Sequence, residues 1–84
     1  IAHAKVLSRE IGMHNIRVNS IAPGLTNTDM MKKNHQEKII SEMISRISLK
    51  RIANPEEIAN VVLLLSSDLT SYITGQVIRV DGGM

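Results

Sequence analysis

The 84-residue chain reads as an α/β unit with parallel strands. Two short β-branched runs, residues 15–21 and 76–80, are separated by a long stretch of helical periodicity. A connection of that length suits a parallel crossover and not a hairpin. The first run also stops at Pro23-Gly24 and opens into hydroxyl-bearing residues, Thr26 and Thr28. Pro23 cannot donate to a ladder, and Gly24 lets backbone approach whatever sits above the strand end. Ligands of open α/β sheets bind outside the carboxyl ends of the strands, so this loop is the first candidate for a site.

Residues 1–11 have helical spacing, with Ala4, Leu7 and Ile11 on one face, and Gly12 ends the helix. No Ser, Thr, Asp or Asn precedes this helix. Met13-His14-Asn15 then turns into the first strand, carried by Ile16, Val18 and Ile21. After the Pro-Gly loop comes a short polar, Met-containing segment, 29–33. A clearer helix at about 36–47 follows, with Ile39, Ile40, Met43, Ile44 and Ile47 in one stripe. Asn34 and Glu37 have the spacing of a capping box for it.

The third helix, opened by Asn54 and closed near Ser66, has Asn54 as N-cap, Pro55 at the first helical position and Glu57 as the reciprocal capping residue. Between Ile58 and Leu65 only Asn60 is polar. Such a helix needs cover on more than one side, which predicts burial in a larger unit or against a partner subunit. The second strand follows Gly75 and ends at Asp81-Gly82-Gly83, a glycine pair with no helix behind it to hold an anion.

Composition excludes several classes. Ten basic and eight acidic residues give a net charge of +2, too weak and too mixed to argue for nucleic acid. The longest apolar run, 61–65, falls far short of the roughly 20 residues of a membrane span. The absence of cysteine removes disulfides and thiolate metal sites and suits a cytoplasmic setting. His3, His14 and His35 share no helical spacing, so metal ligation is not expected.

The motifs Ile16-Arg17-Val18-Asn19, Ala22-Pro23-Gly24 and Thr28-Asp29-Met30 resemble the late-strand segment of the short-chain dehydrogenase/reductase family. The downstream motifs keep the same register: Arg51-Ile52, Asn54-Pro55-Glu56-Glu57-Ile58-Ala59, Ser71-Tyr72-Ile73-Thr74-Gly75-Gln76 and Val80-Asp81-Gly82-Gly83. The nearest subgroup resembled is that of the 3-oxoacyl-[acyl-carrier-protein] reductases.

The resemblance implies the carboxyl-terminal portion of a doubly wound parallel-sheet (Rossmann-like) fold. It implies an oxidoreductase moving hydride between NAD or NADP and a carbonyl or hydroxyl substrate, 3-oxoacyl thioesters among the candidates. It also places the glycine-rich cofactor loop, the catalytic Ser and the Tyr-x-x-x-Lys pair upstream of Ile1. The 84 residues are therefore expected to be one part of a single NAD(P)-binding domain and to be inactive alone. The alternative is a non-enzymatic interaction module derived from such an enzyme.

By the same resemblance Pro23, Gly24, Leu25, Thr26 and Thr28 contact the nicotinamide side of the cofactor, Thr26 through its backbone. On physical chemistry alone the loop reads rather as an ordinary strand-exit turn whose threonines cap the next helix. Met30 and Met31 are assigned to a substrate wall. A homodimer or homotetramer is expected, built through the Asn54 to Ser66 helix and the carboxyl-terminal strand. No catalytic residue falls within the chain: Tyr72 is followed four positions later by Gln76 and not by Lys. Asn19 is expected to tie neighbouring backbone together, and Asp29 and Glu37 to be helix-start carboxylates.

Overall fold

A computed structural model describes residues 2–84 of the chain. Its elements run α1 (Ala2–Ile11), β1 (Ser20–Pro23), α2 (Asp29–Asn34), α3 (Glu37–Ser45), α4 (Pro55–Leu65) and β2 (Val77–Val80), with single 3₁₀ turns at Gly12–His14 and Asp68–Thr70. β1 and β2 pair in parallel from Ser20↔Val77 to Pro23↔Val80. Gly24 N–H extends the ladder to the Val80 carbonyl at 2.9 Å. The nitrogen of Pro23 therefore faces the opposite edge, where its missing proton costs no bond to β2.

The first strand is shorter than the β-branched run suggests. Residues 15–19 lie beside 70–76, but side chains and one out-of-register backbone bond, Gly75 N–H to the Val18 carbonyl at 2.7 Å, replace the ladder there. Thr74 Oγ1 accepts from Val18 N–H at 3.1 Å, and Asn19 donates through Nδ2 to the Ile73 carbonyl and accepts at Oδ1 from Gln76 N–H. Gly75 sits at φ +71 and turns the facing chain out of register. Asn19 thus has the tying role expected of it. Arg17 reinforces the seam by donating to the carbonyls of Ile73 at 3.2 Å and Ser67 at 3.1 Å.

α1 buries Ala4 of the expected face together with Ser8, while Leu7 of that face stays exposed. Ser8 is covered by Gly75: a Cβ there would lie 2.5 Å from Ser8 Oγ, so the turn before β2 closes directly on Ser8. The Ser8 hydroxyl is satisfied within the helix by the Lys5 carbonyl at 2.8 Å.

The polar segment after the Pro-Gly loop is a helix in its own right. Asp29 lies in its first turn and Lys32 and Lys33 in its last, both favourable to the helix dipole. α2 runs through Asn34, which therefore cannot cap α3; Gln36 takes that position without a side-chain bond, and Glu37 opens the helix. α3 ends at Ser45, so Ile47 lies beyond it in the following turn and is the most deeply buried side chain, 1% exposed.

α4 starts where the sequence places it. Asn54 N–H donates to Glu57 Oε1 at 3.0 Å, and Ser66 closes the far end. No residue of α4 is buried, and Val62, Leu63 and Leu64 face outward. The cover that the apolar Ile58–Leu65 stretch requires does not come from the described residues.

Candidate functional site at the carboxyl ends of the strands

β1 delivers residues 23–28 to the carboxyl end of the sheet, where β2 exits through Asp81-Gly82-Gly83. The two exits touch at Gly24. A Cβ on Gly24 would lie 2.8 Å from both Cα and Cβ of Asp81, closer than real Cβ contacts come, so only glycine lets the loop lie on the turn.

Beyond Gly24 the loop gains a second support. Thr26 forms an isolated parallel bridge with Ala53, in which Leu25 C=O accepts from Ala53 N–H at 3.0 Å and Asn27 N–H donates to Ala53 C=O at 2.8 Å. In such a bridge the central residue's own N–H and C=O point to the opposite side. Those of Thr26 take no partner among the described residues. Its hydroxyl donates to Gly24 C=O at 3.1 Å.

Thr28 is the N-cap of α2: its Oγ1 accepts from Met31 N–H at 3.2 Å. That uses one acceptor site of the hydroxyl and leaves its proton free to donate. Met31 is buried at 8% exposure and Met30 projects outward at 71%, so α2 presents them to different surroundings. The structure therefore gathers Pro23, Gly24, Leu25 and Thr26 at one sheet end, with Thr28 at the mouth of the next helix. It does not bring Met30 and Met31 to a common wall within the chain.

A cavity of about 110 Å³ opens here, lined by Leu25, Leu49, Ala53, Val80 and the Arg51 and Glu57 side chains. Arg51 grips Glu57 with both prongs, Nη1–Oε1 at 2.6 Å and Nη2–Oε2 at 2.8 Å. The guanidinium, joined by the Asn54 N–H, holds the Glu57 carboxyl down to about 2, and Glu57 in turn raises Arg51 above its ordinary value. Sequence reading finds Glu57 only as a capping residue. Arg51 lies outside the helix, where no periodicity links the two.

A larger cleft, about 570 Å³, lies at the amino-terminal end of the strands beside Ile16, Ile21, Val62 and Leu65. Of its polar members, Arg17 and Asn19 are committed to backbone carbonyls of the facing segment and Ser66 to the Val62 carbonyl, while Asn15, Asp68 and Ser71 also line it. Volume alone would favour this cleft. Free backbone donors and acceptors and the strand polarity favour the Pro-Gly loop.

A family model described as enoyl-(acyl carrier protein) reductase matches residues 1–84, the whole chain. The chain belongs to the short-chain dehydrogenase/reductase family. It is 51% identical over its full length to a 3-oxoacyl-[acyl-carrier-protein] reductase of Chlamydia trachomatis, of which it covers 34%. It is 50% identical over 78 residues, 93% of the chain, to a 3alpha-hydroxysteroid dehydrogenase of Mediterraneibacter gnavus, of which it covers 31%. The crystal structure of a 3-oxoacyl-[acyl-carrier protein] reductase from Brucella melitensis superposes with a TM-score of 0.93 at 35% identity, over 98% of this chain and 30% of that one. The chain thus spans about a third of the length of the relatives it matches.

Proposed function

We propose that these residues form the carboxyl-terminal part of an NAD(P)-dependent oxidoreductase and supply its nicotinamide-side loop, substrate lid and subunit interface. The observation that carries the reading is the free N–H and C=O of Thr26, held at the carboxyl end of the sheet by the bridge to Ala53. A primary carboxamide offers one acceptor and two donors, the complement of one backbone N–H and one C=O. Gly24 keeps the approach open, Pro23 stiffens it, and Leu25 is held in the frame through its carbonyl. The Thr28 hydroxyl, bonded as acceptor to Met31 N–H, retains a proton to donate to the cofactor.

The nicotinamide, NAD or NADP, supplies or accepts the hydride; the residues of this chain orient it and shield it. Met30 on the outward face of α2 offers a flexible thioether to an apolar substrate, with Met31 anchoring the same turn from beneath. The substrate class is a carbonyl compound, with 3-oxoacyl thioesters favoured by the relatives, and the setting is cytoplasmic. α4, left uncovered among the described residues, supplies a homodimer or homotetramer contact together with the carboxyl-terminal strand.

The test is to assay NADH and NADPH oxidation with a carbonyl panel that includes a 3-oxoacyl thioester. The complete protein carrying these residues and the 84 residues alone are compared. Turnover is expected from the first only, because the family resemblance puts the general acid, typically worth about 10²–10⁴ in rate, upstream of these residues. A complete protein that neither binds nor oxidises either nicotinamide would overturn the reading.

A further inference from the structure

The Asp81-Gly82-Gly83 turn has the form of an anion loop without a helix behind it, and the fold gives it another use. Two carbonyls of the turn receive the chain as it leaves α3. Gly82 C=O accepts from Leu49 N–H at 3.0 Å, and Gly83 C=O accepts from both the N–H of Ser48 at 3.3 Å and its hydroxyl at 2.7 Å. Both glycines have positive φ, +65 and +85. A Cβ on Gly82 would meet Ile47 Cγ2 at 2.9 Å, and one on Gly83 would meet Ser48 Oγ at 2.7 Å. Asp81 locks the turn by accepting from Gly83 N–H at 3.0 Å and pairing with Arg79 at 3.2 Å. Gly24 of the cofactor loop lies against this same Asp81.

The α2–α3 arm is therefore tied at both ends to one frame. At its start the loop is fixed through Leu25 and Asn27 to Ala53; at its end Ile47, Ser48 and Leu49 are seated on the Gly82-Gly83 turn. We infer that the Asp81–Gly83 turn is the hinge seat of the α2–α3 arm and that Ser48 is a positioning residue. Its two bonds to the Gly83 carbonyl set where the end of the arm is held relative to the Pro23–Thr28 loop. The role of the arm as a substrate cover rests on the reading given under Proposed function; the hinge seat itself rests on geometry alone.

The test compares wild type, Ser48→Ala, Ser48→Thr and Gly83→Ala in the complete protein, by amide hydrogen exchange and by steady-state kinetics. Ser48→Ala is expected to speed exchange at the Ser48 and Leu49 amides about 3–10-fold and to leave the Asn27 amide, on the other anchor, unchanged. KM for the carbonyl substrate rises several-fold while cofactor Kd stays within twofold. Ser48→Thr restores both, and Gly83→Ala exceeds the Ser48→Ala effect because it also strains a positive φ. Unaltered exchange at 48 and 49 in Ser48→Ala would overturn the inference, as would equal loosening at Asn27. If exchange responds as stated but the protein takes no nicotinamide, the hinge stands and the reductase reading fails.

Discussion

Arg51 and Glu57 form a two-pronged ion pair that ties the loop after α3 to the first turn of α4. Six positions separate them in sequence, and the pair borders the cavity under the Pro-Gly loop. Both side chains are partly exposed, so the pair fixes geometry more than it adds stability.

That pair predicts a specific acid response. The Glu57 carboxyl is lowered from 4.5 to about 2 by Arg51 first and by the Asn54 N–H second. A depressed carboxylate contributes stability that is fully present above its unfolded pKa and is lost as pH falls through the folded value. The contribution should therefore fade between about pH 4.5 and pH 2. Melting temperatures of wild type and Glu57→Gln, taken at intervals from pH 6 to pH 2, should converge over that window, and added salt should shrink their difference. Parallel curves throughout would show that the pair does not couple to folding.

Two glycines separate close approach from mere flexibility. Gly24→Ala forces a methyl to 2.8 Å from Asp81 backbone, whereas a Cβ on Gly12 meets nothing within 4 Å. Gly24→Ala should cost about 1–3 kcal/mol as overpacking. Gly12→Ala should be neutral or stabilise by up to about 1 kcal/mol, by reducing the freedom of the unfolded chain. Urea denaturation of the two variants checks this, and equal midpoints would mean the loop yields without strain.

Thr28 has a structural duty beside its proposed contact. Because its Oγ1 caps α2, Thr28→Val should cost about 0.5–2 kcal/mol of stability as well as weaken cofactor binding several-fold. Thr28→Ser keeps the hydroxyl and should retain both. A Val variant with lowered stability and unchanged cofactor affinity would leave Thr28 as a cap alone.

The outward face of α4 predicts an assembly. Leu63 is 71% exposed and Leu64 47% within the chain. A glutamate at either position would leave an unpaired charge buried if a second subunit covers them. Light scattering of Leu63→Glu and Leu64→Glu in the complete protein should show smaller particles than wild type. Particles of unchanged size and stability would place the cover of α4 within its own subunit.

The sequence by itself determined whatever depends on neighbours along the chain. Asn54, Pro55 and Glu57 specify the start of α4, because a helix N-terminus is satisfied by residues within one turn of it. The parallel pairing of β1 and β2 followed from the length of chain between them, and the family followed from the order of its motifs. Only the tertiary structure decided what depends on residues far apart. The first strand shortened because Gly75 and Thr74, over fifty positions away, meet Val18 with a backbone bond one residue out of register and a side chain instead of a continuing ladder. α1 turned Ser8 inward because the same Gly75 closes on it, and Asn34 lost its capping role because a helix started by Thr28 ran through it. The free backbone of Thr26 and the seating of Ser48 on Gly83 arise the same way, from segments brought side by side at the sheet end. Periodicity and capping rules describe one element at a time. A bond between two loops has no period, so it becomes legible only when the fold brings them together.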